Sequence, residues 1–164
     1  MSLEFRLATA ADASELANIL TNATQYKLDH DDLAWGIEPY TEDEVMLRIK
    51  NNNTYLAYLE DEPVGTLVLQ WDDDSVWGIQ PSHAGYIHGF AIRDGFHGHG
   101  LGTQMLDWAA NEVSNRGYSY LRLDCPAANA QLRAYYERHA FVQMPHPNPS
   151  KDTKSSVYYQ RPLH

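Results

Sequence analysis

The chain has 164 residues, a length that predicts one domain spanning residues 1–164 with a substantial core. Its formal net charge of −10 argues against general binding to nucleic acid, and no apolar run approaches the ~20 residues of a membrane-spanning helix. The N-terminus lacks the basic and apolar regions of a signal peptide. Because its one cysteine, Cys125, excludes an internal disulfide, we expect a reducing compartment, the cytoplasm, and no membrane partner.

The first half of the chain predicts a strand, two helices and a hairpin. Residues 4–8 form a candidate strand, and Thr9 with Asp12 is a capping box that predicts a helix after it. The apolar residues that give this helix a buried face are Leu16, Ile19 and Leu20. Thr41 and Glu44 form a second capping box, for a helix that runs to about residue 50. Residues 54–59 and 64–71 are rich in β-formers and flank residues 60–63, which predicts a hairpin.

Two stretches in this half of the chain show no clear periodicity of apolar residues. Residues 22–40 hold three aromatic residues and an acidic cluster, and an ordinary loop or short helix with its aromatic rings in the core is one interpretation. The aromatic residues are Tyr26, Trp35 and Tyr40. Residues 72–74 are three consecutive aspartates, which could hold a metal or an ammonium group. A solvated turn is the favoured interpretation, because neighbouring carboxylates in a loop point in different directions.

The stretch at residues 86–106 predicts a strand, a glycine-rich loop and a helix in immediate succession. The strand ends at Ile92, the glycines fall at 98, 100 and 102, and the helix runs from Leu101 to Arg116, where Gly117 ends it. This arrangement is typical of phosphate binding, because a helix N-terminus offers free N–H groups and a partial positive charge. The spacing G-x-G-x-G is wrong for the Rossmann fingerprint, and no lysine follows the loop as a P-loop requires.

The last part of the chain predicts a strand over residues 118–125, ended by Pro126, and a helix over residues 129–139. A further strand begins at Phe141. Pro145, Pro147 and Pro149 predict a stiff loop, after which residues 155–161 can return as an antiparallel strand.

Two of these segments together resemble the GNAT superfamily of N-acetyltransferases. That family's acetyl-CoA loop has the pattern Arg/Gln-x-x-Gly-x-Gly/Ala shortly after a strand, and here the pattern falls on residues 97–102, with His97 at its first position. Downstream, the family has Asn, then Tyr seven residues on, then Gly-Phe. Asn129, Tyr136 and Phe141 match these positions, and Ala140 replaces the glycine. The match covers about residues 85–142.

The resemblance implies the fold and the cofactor. We expect a mixed α/β fold in which a central twisted, mostly antiparallel sheet contains a splayed parallel pair and carries helices on both faces. The cosubstrate implied is acetyl-CoA, with its diphosphate on the loop amides and its pantetheine arm along the strand. The residues expected to bind it are Phe90, Ala91, Ile92, His97, Gly98, His99, Gly100, Leu101, Gly102, Thr103, Asn129 and Tyr136.

The resemblance also assigns catalytic roles. Tyr136 is the candidate acid that protonates the departing thiolate, with Tyr135 as its rival, although both tyrosines could simply pack in the core. His88 is the candidate base that takes the amine proton, with a reference pKa of ~6.5, or it is a structural histidine. Asp124, at the end of the next strand, could hold the ammonium group of the acceptor. We expect no metal at His83, His88, His97 and His99, and no acyl-enzyme at Cys125.

The implied function is transfer of an acetyl group from acetyl-CoA directly to a primary amine of a small molecule or of a peptide or protein. The alternative is a regulatory module that binds CoA without turnover. In the family the segment after the first helix often covers the acceptor, so residues 22–40 and 71–84 are expected to select it. Family members are often dimers, and a homodimer is left open.

Overall fold

A computed structural model of the protein describes residues 2–81, 83–147 and 155–163. Its helices are α1 (Ala13–Asp29), α2 (Glu42–Asn51), α3 (Asp74–Trp77), α4 (Leu101–Asn115) and α5 (Ala130–Arg138). Its strands are β1 (Leu3–Leu7), β2 (Thr54–Leu59), β3 (Glu62–Gln70), β4 (Ala84–Ile92), β5 (Tyr120–Pro126), β6 (Val142–Met144) and β7 (Ser156–Pro162). None of the helices in these described ranges is long and apolar enough to cross a bilayer.

The strands form one seven-stranded sheet in the order β1-β2-β3-β4-β5-β7-β6. The pairs β1–β2, β2–β3, β5–β7 and β6–β7 are antiparallel, and β4–β5 is parallel. The parallel ladder covers three residue pairs, from Ala84↔Tyr120 to Tyr86↔Arg122, although β4 continues to Ile92 and β5 to Pro126. The predicted mixed α/β fold, mostly antiparallel with one parallel pair, is therefore confirmed.

The contacts of the chain fall into two units, and the boundaries between them lie at the last residue of β3, within β4 and within α4. The first unit comprises the chain up to Leu69 together with His88–Met105. Its core joins the buried face of α1 to α2 and the strands, and Leu16, Ile19, Leu20, Val45 and Leu56 are at most 1% exposed. The predicted capping box of Thr9 and Asp12 is present in the 3-10 turn (Ala10–Asp12) that leads into α1, where the Thr9 N–H donates to Asp12 Oδ2. At α2, Thr41 is the N-cap, and its Oγ1 accepts from the Glu44 N–H.

The second unit comprises Gln70–Ile87 and the chain from Leu106 onward. Here β5 pairs with β7 over seven residues, and β7 pairs with β6, as the predicted antiparallel return requires. An aromatic cluster of Trp77, Tyr86 and Tyr158 is buried in this unit. Pro149 lies outside the described residues.

Several predicted boundaries were wrong, each for a local reason. Helix α1 continues through residues 22–29, because its buried face there consists of the small residues Ala23 and Thr24, which carry no strong apolar period. The hairpin turn is shorter than expected, since β3 already begins at Glu62. The solvated-turn interpretation of residues 72–74 also needs correction, because Asp73 is buried and precedes the short helix α3.

Candidate active site

The loop before α4 has the backbone conformation that its glycines suggest. Gly98 and Gly100 have φ angles of +81° and +74°, and in this left-handed region an L-residue costs ~1–2 kcal/mol. A Cβ added at either position would meet no atom within 4 Å, so open space lies beside both glycines. Gly102 differs, because it lies inside the first turn of α4 and is buried.

The N-terminus of α4 faces an exposed loop. Residues 98–100 are exposed, and the Gln104 N–H donates to the Gly100 carbonyl at 3.3 Å at the start of the helical hydrogen bonding. As a general property of helices, the N–H groups that precede the first such bond have no acceptor within the helix itself. Because the helix dipole adds about half a positive charge at this end, the loop and the first turn can hold an anionic group.

His97 takes part in a stack of three rings. Its imidazole lies 4.5 Å from the Tyr26 ring at an interplanar angle of 9°, and Tyr26 lies 4.1 Å from the His30 ring at 26°. Partial burial lowers the pKa of His97; the nearby Asp94 raises it, and His30 lowers it further. The net pKa lies below the usual 6.5, so His97 is mostly neutral at pH 7. This stack was not predicted, because it depends on the extension of α1 through Tyr26.

The second half of β4 lies beside β3 in the same unit. The Arg93 N–H donates to the Val64 carbonyl at 2.8 Å, and the Arg93 guanidinium bonds to Glu62. Gly89 has a φ of +56°, which interrupts the regular alternation of β4 immediately before Phe90–Ala91–Ile92. These three residues are the ones expected to run along the pantetheine arm.

His88 lies on β4 directly before this irregular glycine. Its side chain is partly buried, and its Nε2 atom is shielded from solvent. A shielded nitrogen is compatible with a structural histidine, and it is equally compatible with a base that is reached by substrate alone. Both interpretations of His88 therefore stand.

In the second unit Asn129 caps helix α5. Its Oδ1 atom accepts a hydrogen bond from the Leu132 N–H at 3.0 Å, which is the usual N-cap geometry. The sequence suggested only a cofactor role for this residue. The side chain has one carbonyl oxygen and one amide donor group. Capping uses the oxygen, so the expected binding of pantetheine would have to use the amide group.

Tyr136 is buried near the C-terminal end of α5, with 6% of its surface exposed. Its ring packs against Phe141 at 5.6 Å, and the Phe141 N–H donates to the Tyr136 carbonyl at 3.1 Å. Together these contacts form a Schellman motif with its hydrophobic contact, and Ala140 takes the left-handed position of that motif at φ +67°. The positions of Tyr136 and Phe141, which match the family pattern, are thus the two positions that this helix-ending motif brings into contact.

The Tyr136 hydroxyl is kept protonated by its surroundings. Burial raises its pKa, and the nearby Cys125, Tyr135 and Asp124 raise it further. Among the described residues the hydroxyl makes no hydrogen bond. The rival, Tyr135, is only partly buried and packs against the His139 ring at 4.3 Å.

A polar cluster on one face of β5 contains Asp124, the candidate for holding the acceptor's ammonium group, together with Arg122, which was not predicted. Arg122 is 4% exposed; its guanidinium donates to Tyr86 Oη and to Gln160 Oε1, both at 2.8 Å, and lies over the Trp77 ring. Two positions along the strand, Asp124 has a carboxylate oxygen within 4.8 Å of one from Asp73. The alternation of polar residues at 120, 122 and 124 was the available signal. Two carboxylates at this distance can hold a cationic group.

Comparison with known proteins identifies the family. The sequence pattern that defines the acetyltransferase (GNAT) family matches residues 16–141, which is most of the chain. The chain belongs to the GNAT acetyltransferase family. A GNAT N-acetyltransferase is an acetyl-CoA-dependent acyltransferase, so the protein is an enzyme of this class.

Individual relatives are distant. A curated relative, the uncharacterized N-acetyltransferase YesJ of Bacillus subtilis (strain 168), is 23% identical over 141 residues, which cover 81% of this chain and 78% of YesJ. An acetyltransferase structure from Thermus thermophilus matches with a TM-score of 0.76 at 21% identity, covering 99% and 98% of the two chains. The ribosomal L7/L12 α-N-protein acetyltransferase RimL, solved in complex with coenzyme A, has a TM-score of 0.74 at 18% identity, covering 99% and 95%. At these identities the solved structures establish the fold.

Proposed function

We propose that this GNAT enzyme transfers the acetyl group of acetyl-CoA directly to a primary amine of a small molecule or of a peptide. The observation that carries the proposal is the left-handed Gly98–Gly100 loop that leads into α4. It follows an irregular strand and, in sequence, precedes an α5 that carries Asn129 and Tyr136. RimL, which has this fold, was solved with coenzyme A.

The loop fits an anionic diphosphate by its backbone alone. Amides of residues 98–103 bind the phosphate oxygens, as at other helix N-termini. Amides of Phe90–Ile92 pair with the pantetheine arm, and one of them donates to the thioester oxygen as negative charge develops there. Asn129 donates to an amide carbonyl of the arm through its side-chain nitrogen.

In the chemical step the amine nitrogen forms a bond to the thioester carbon while the carbon–sulfur bond breaks. The departing thiolate takes the phenolic proton of Tyr136. The reference pKa of a phenol is ~10 and that of a thiol ~8.5, so this transfer is uphill, and the raised pKa of Tyr136 makes it more so. A preformed hydrogen bond to sulfur, at a hydroxyl that has no other partner among the described residues, makes it feasible. The amine proton goes to His88 or to water.

Calorimetric titration of the purified protein with acetyl-CoA, with NAD as the control ligand, tests the proposed binding of acetyl-CoA. We expect saturable one-to-one binding of acetyl-CoA alone. Absence of binding would contradict the loop assignment. Thiol release in the presence of a panel of amines then tests turnover, using an alkyl diamine, an aminoglycoside, free amino acids and a peptide that begins with Ser.

The variant Tyr136→Phe tests the acid. Removal of a general acid costs about 10²–10⁴-fold in rate, so we expect kcat to fall by at least about 100-fold while the Kd for acetyl-CoA changes by less than about threefold. Tyr135→Phe is the matched control and keeps its turnover. Equal turnover in the Tyr136 variant would remove the acid assignment. Binding of acetyl-CoA with no turnover by the unaltered protein would favour a CoA-binding regulatory module instead.

A further inference from the structure

Arg48, near the end of α2, has an unusual environment for a charged side chain. It is partly buried, and its guanidinium lies against Gly89 of β4, where it occupies the space that a Cβ of residue 89 would need. Its Cζ atom lies 5.4 Å from the centre of the Tyr40 ring, a cation–π contact. Among the described residues, Arg48 is the one partly buried or buried cationic side chain that makes neither a hydrogen bond nor an ion pair.

Lys27 of α1 shows the contrast. Lys27 also lies over an aromatic ring, that of Trp35, at 5.0 Å, but its ammonium forms an ion pair with Asp32 at 3.4 Å. A partly desolvated charge without a counterion costs free energy. Such a charge is therefore a candidate for binding an anionic ligand. Arg48 is therefore a guanidinium that is held in place and still able to donate.

The surroundings of Arg48 fix its position. Tyr40 packs against the core of its unit, and its backbone N–H donates to Thr21 Oγ1 at 2.9 Å. Gly89 is needed at its position twice over, because its φ of +56° is left-handed and because any side chain there would displace the guanidinium. Gly89 also lies between His88 and Phe90 along the chain, so Arg48 is placed beside the stretch of β4 to which the proposed function assigns the reacting thioester.

We propose that Arg48 binds the carboxylate of the acceptor, and hence that the preferred acceptor is a small primary amine that also carries a carboxylate. This inference rests on the proposed function and specifies its substrate class. A guanidinium fork matches a carboxylate in a bidentate geometry, and such a pair would hold the amine close to β4. The proposal gives residues 22–40 a defined part in acceptor selection, through the Tyr40 ring that supports Arg48.

The experiment compares matched acceptors, each a free amino acid and its amide, which keeps the amine and removes the carboxylate. We expect the unaltered enzyme to acetylate the acids, and Arg48→Met to lower their kcat/KM by about 10- to 100-fold, the range for a lost hydrogen bond to a charged group. The same variant should change kcat/KM for the amides by less than about threefold. Arg48→Lys should recover part of the loss, since it keeps the charge without the fork.

Arg6→Met is the matched control. Arg6 also lies over an aromatic ring, that of Tyr58 at 3.8 Å, but it is exposed and lies on β1, so its removal should alter neither acceptor series. Thermal unfolding of each variant shows that the fold is kept, and Arg48→Gln serves as a second neutral variant.

Three results would overturn the inference. One is equal loss of activity on acids and amides in Arg48→Met. Another is a weakened Kd for acetyl-CoA in that variant, which would assign the guanidinium to the cofactor. The third is intact binding of acetyl-CoA with turnover of carboxylate-free amines alone. Failure to bind acetyl-CoA, or binding with no turnover of any amine tested, would instead contradict the proposed function.

Discussion

His97 takes the position at which the family usually has arginine or glutamine, and its ionisation makes cofactor binding depend on pH. In the free protein its pKa is lowered below 6.5, chiefly by burial. Because a bound diphosphate favours the charged imidazole, binding raises this pKa and takes up a proton. The affinity for acetyl-CoA should therefore rise as pH falls from about 7.5 to below 6.5, since the favoured charged form becomes populated in that window.

Calorimetry across this pH range checks the effect of His97. The variant His97→Gln should lose the rise, while the titration of the ligand's own phosphates remains as a common background in both proteins. His99→Gln is the control, and it should keep the rise. His97→Arg should bind acetyl-CoA about tenfold more tightly at pH 7.5, because its charge is permanent. A pH dependence that is identical in His97→Gln would show that the imidazole does not touch the phosphates.

Ala140 carries backbone strain that a single substitution can relieve. Its φ of +67° lies in the left-handed region, and the residue is exposed. Ala140→Gly removes the Cβ clash at the cost of some added chain entropy in the unfolded state, so we expect a gain in unfolding free energy of about 0.5–1 kcal/mol, or a rise in Tm of roughly 2 °C. Ala134→Gly, inside α5, should have the opposite sign. Denaturant unfolding measures both, and a destabilised Ala140→Gly would refute the strain.

At the scale of one element, α5 depends on Asn129 for its N-terminus, and two substitutions separate this capping role from the proposed contact with the cofactor. Asn129→Ala removes the cap and should cost about 1 kcal/mol of unfolding free energy, whereas Asn129→Ser keeps a capping oxygen and should cost a few tenths. If the side-chain amide also binds pantetheine, both variants lose acetyl-CoA affinity to the same degree. Retained affinity in Asn129→Ser would limit the residue to capping.

The elements that could be predicted from the sequence are those with a strong local pattern. The N-cap at Thr41, the burial of Leu101 and Met105 in α4, and the end of that helix near Gly117 all follow from spacing between near neighbours. The site residues that were missed depend on tertiary contacts instead. Arg48 lies against Gly89, 41 positions away along the chain, and no periodic pattern carries that information.

At the scale of the whole molecule, the formal net charge of −10 gives the chain a net electrostatic repulsion for its anionic cosubstrate. Local attraction comes from the dipole and amides at the start of α4, and these fall off within a short distance. Long-range repulsion by the remaining charge acts during approach, and salt screens it, because the Debye length falls from about 30 Å at 0.01 M to about 8 Å at 0.15 M. The association rate constant for acetyl-CoA should therefore rise by about two- to fivefold over this range of salt.

Stopped-flow mixing measures that rate constant at each salt concentration. Acetyl-pantetheine, which lacks the nucleotide and its phosphates, is the matched ligand, and its association should be insensitive to salt because no long-range charge interaction remains. Dissociation of acetyl-CoA should change less than association, since the bound contacts are short-range. An association rate constant that falls with salt would mean that attraction by the positive end of α4 controls the approach of acetyl-CoA. Repulsion by the acidic surface would then be too distant from the loop to affect the rate.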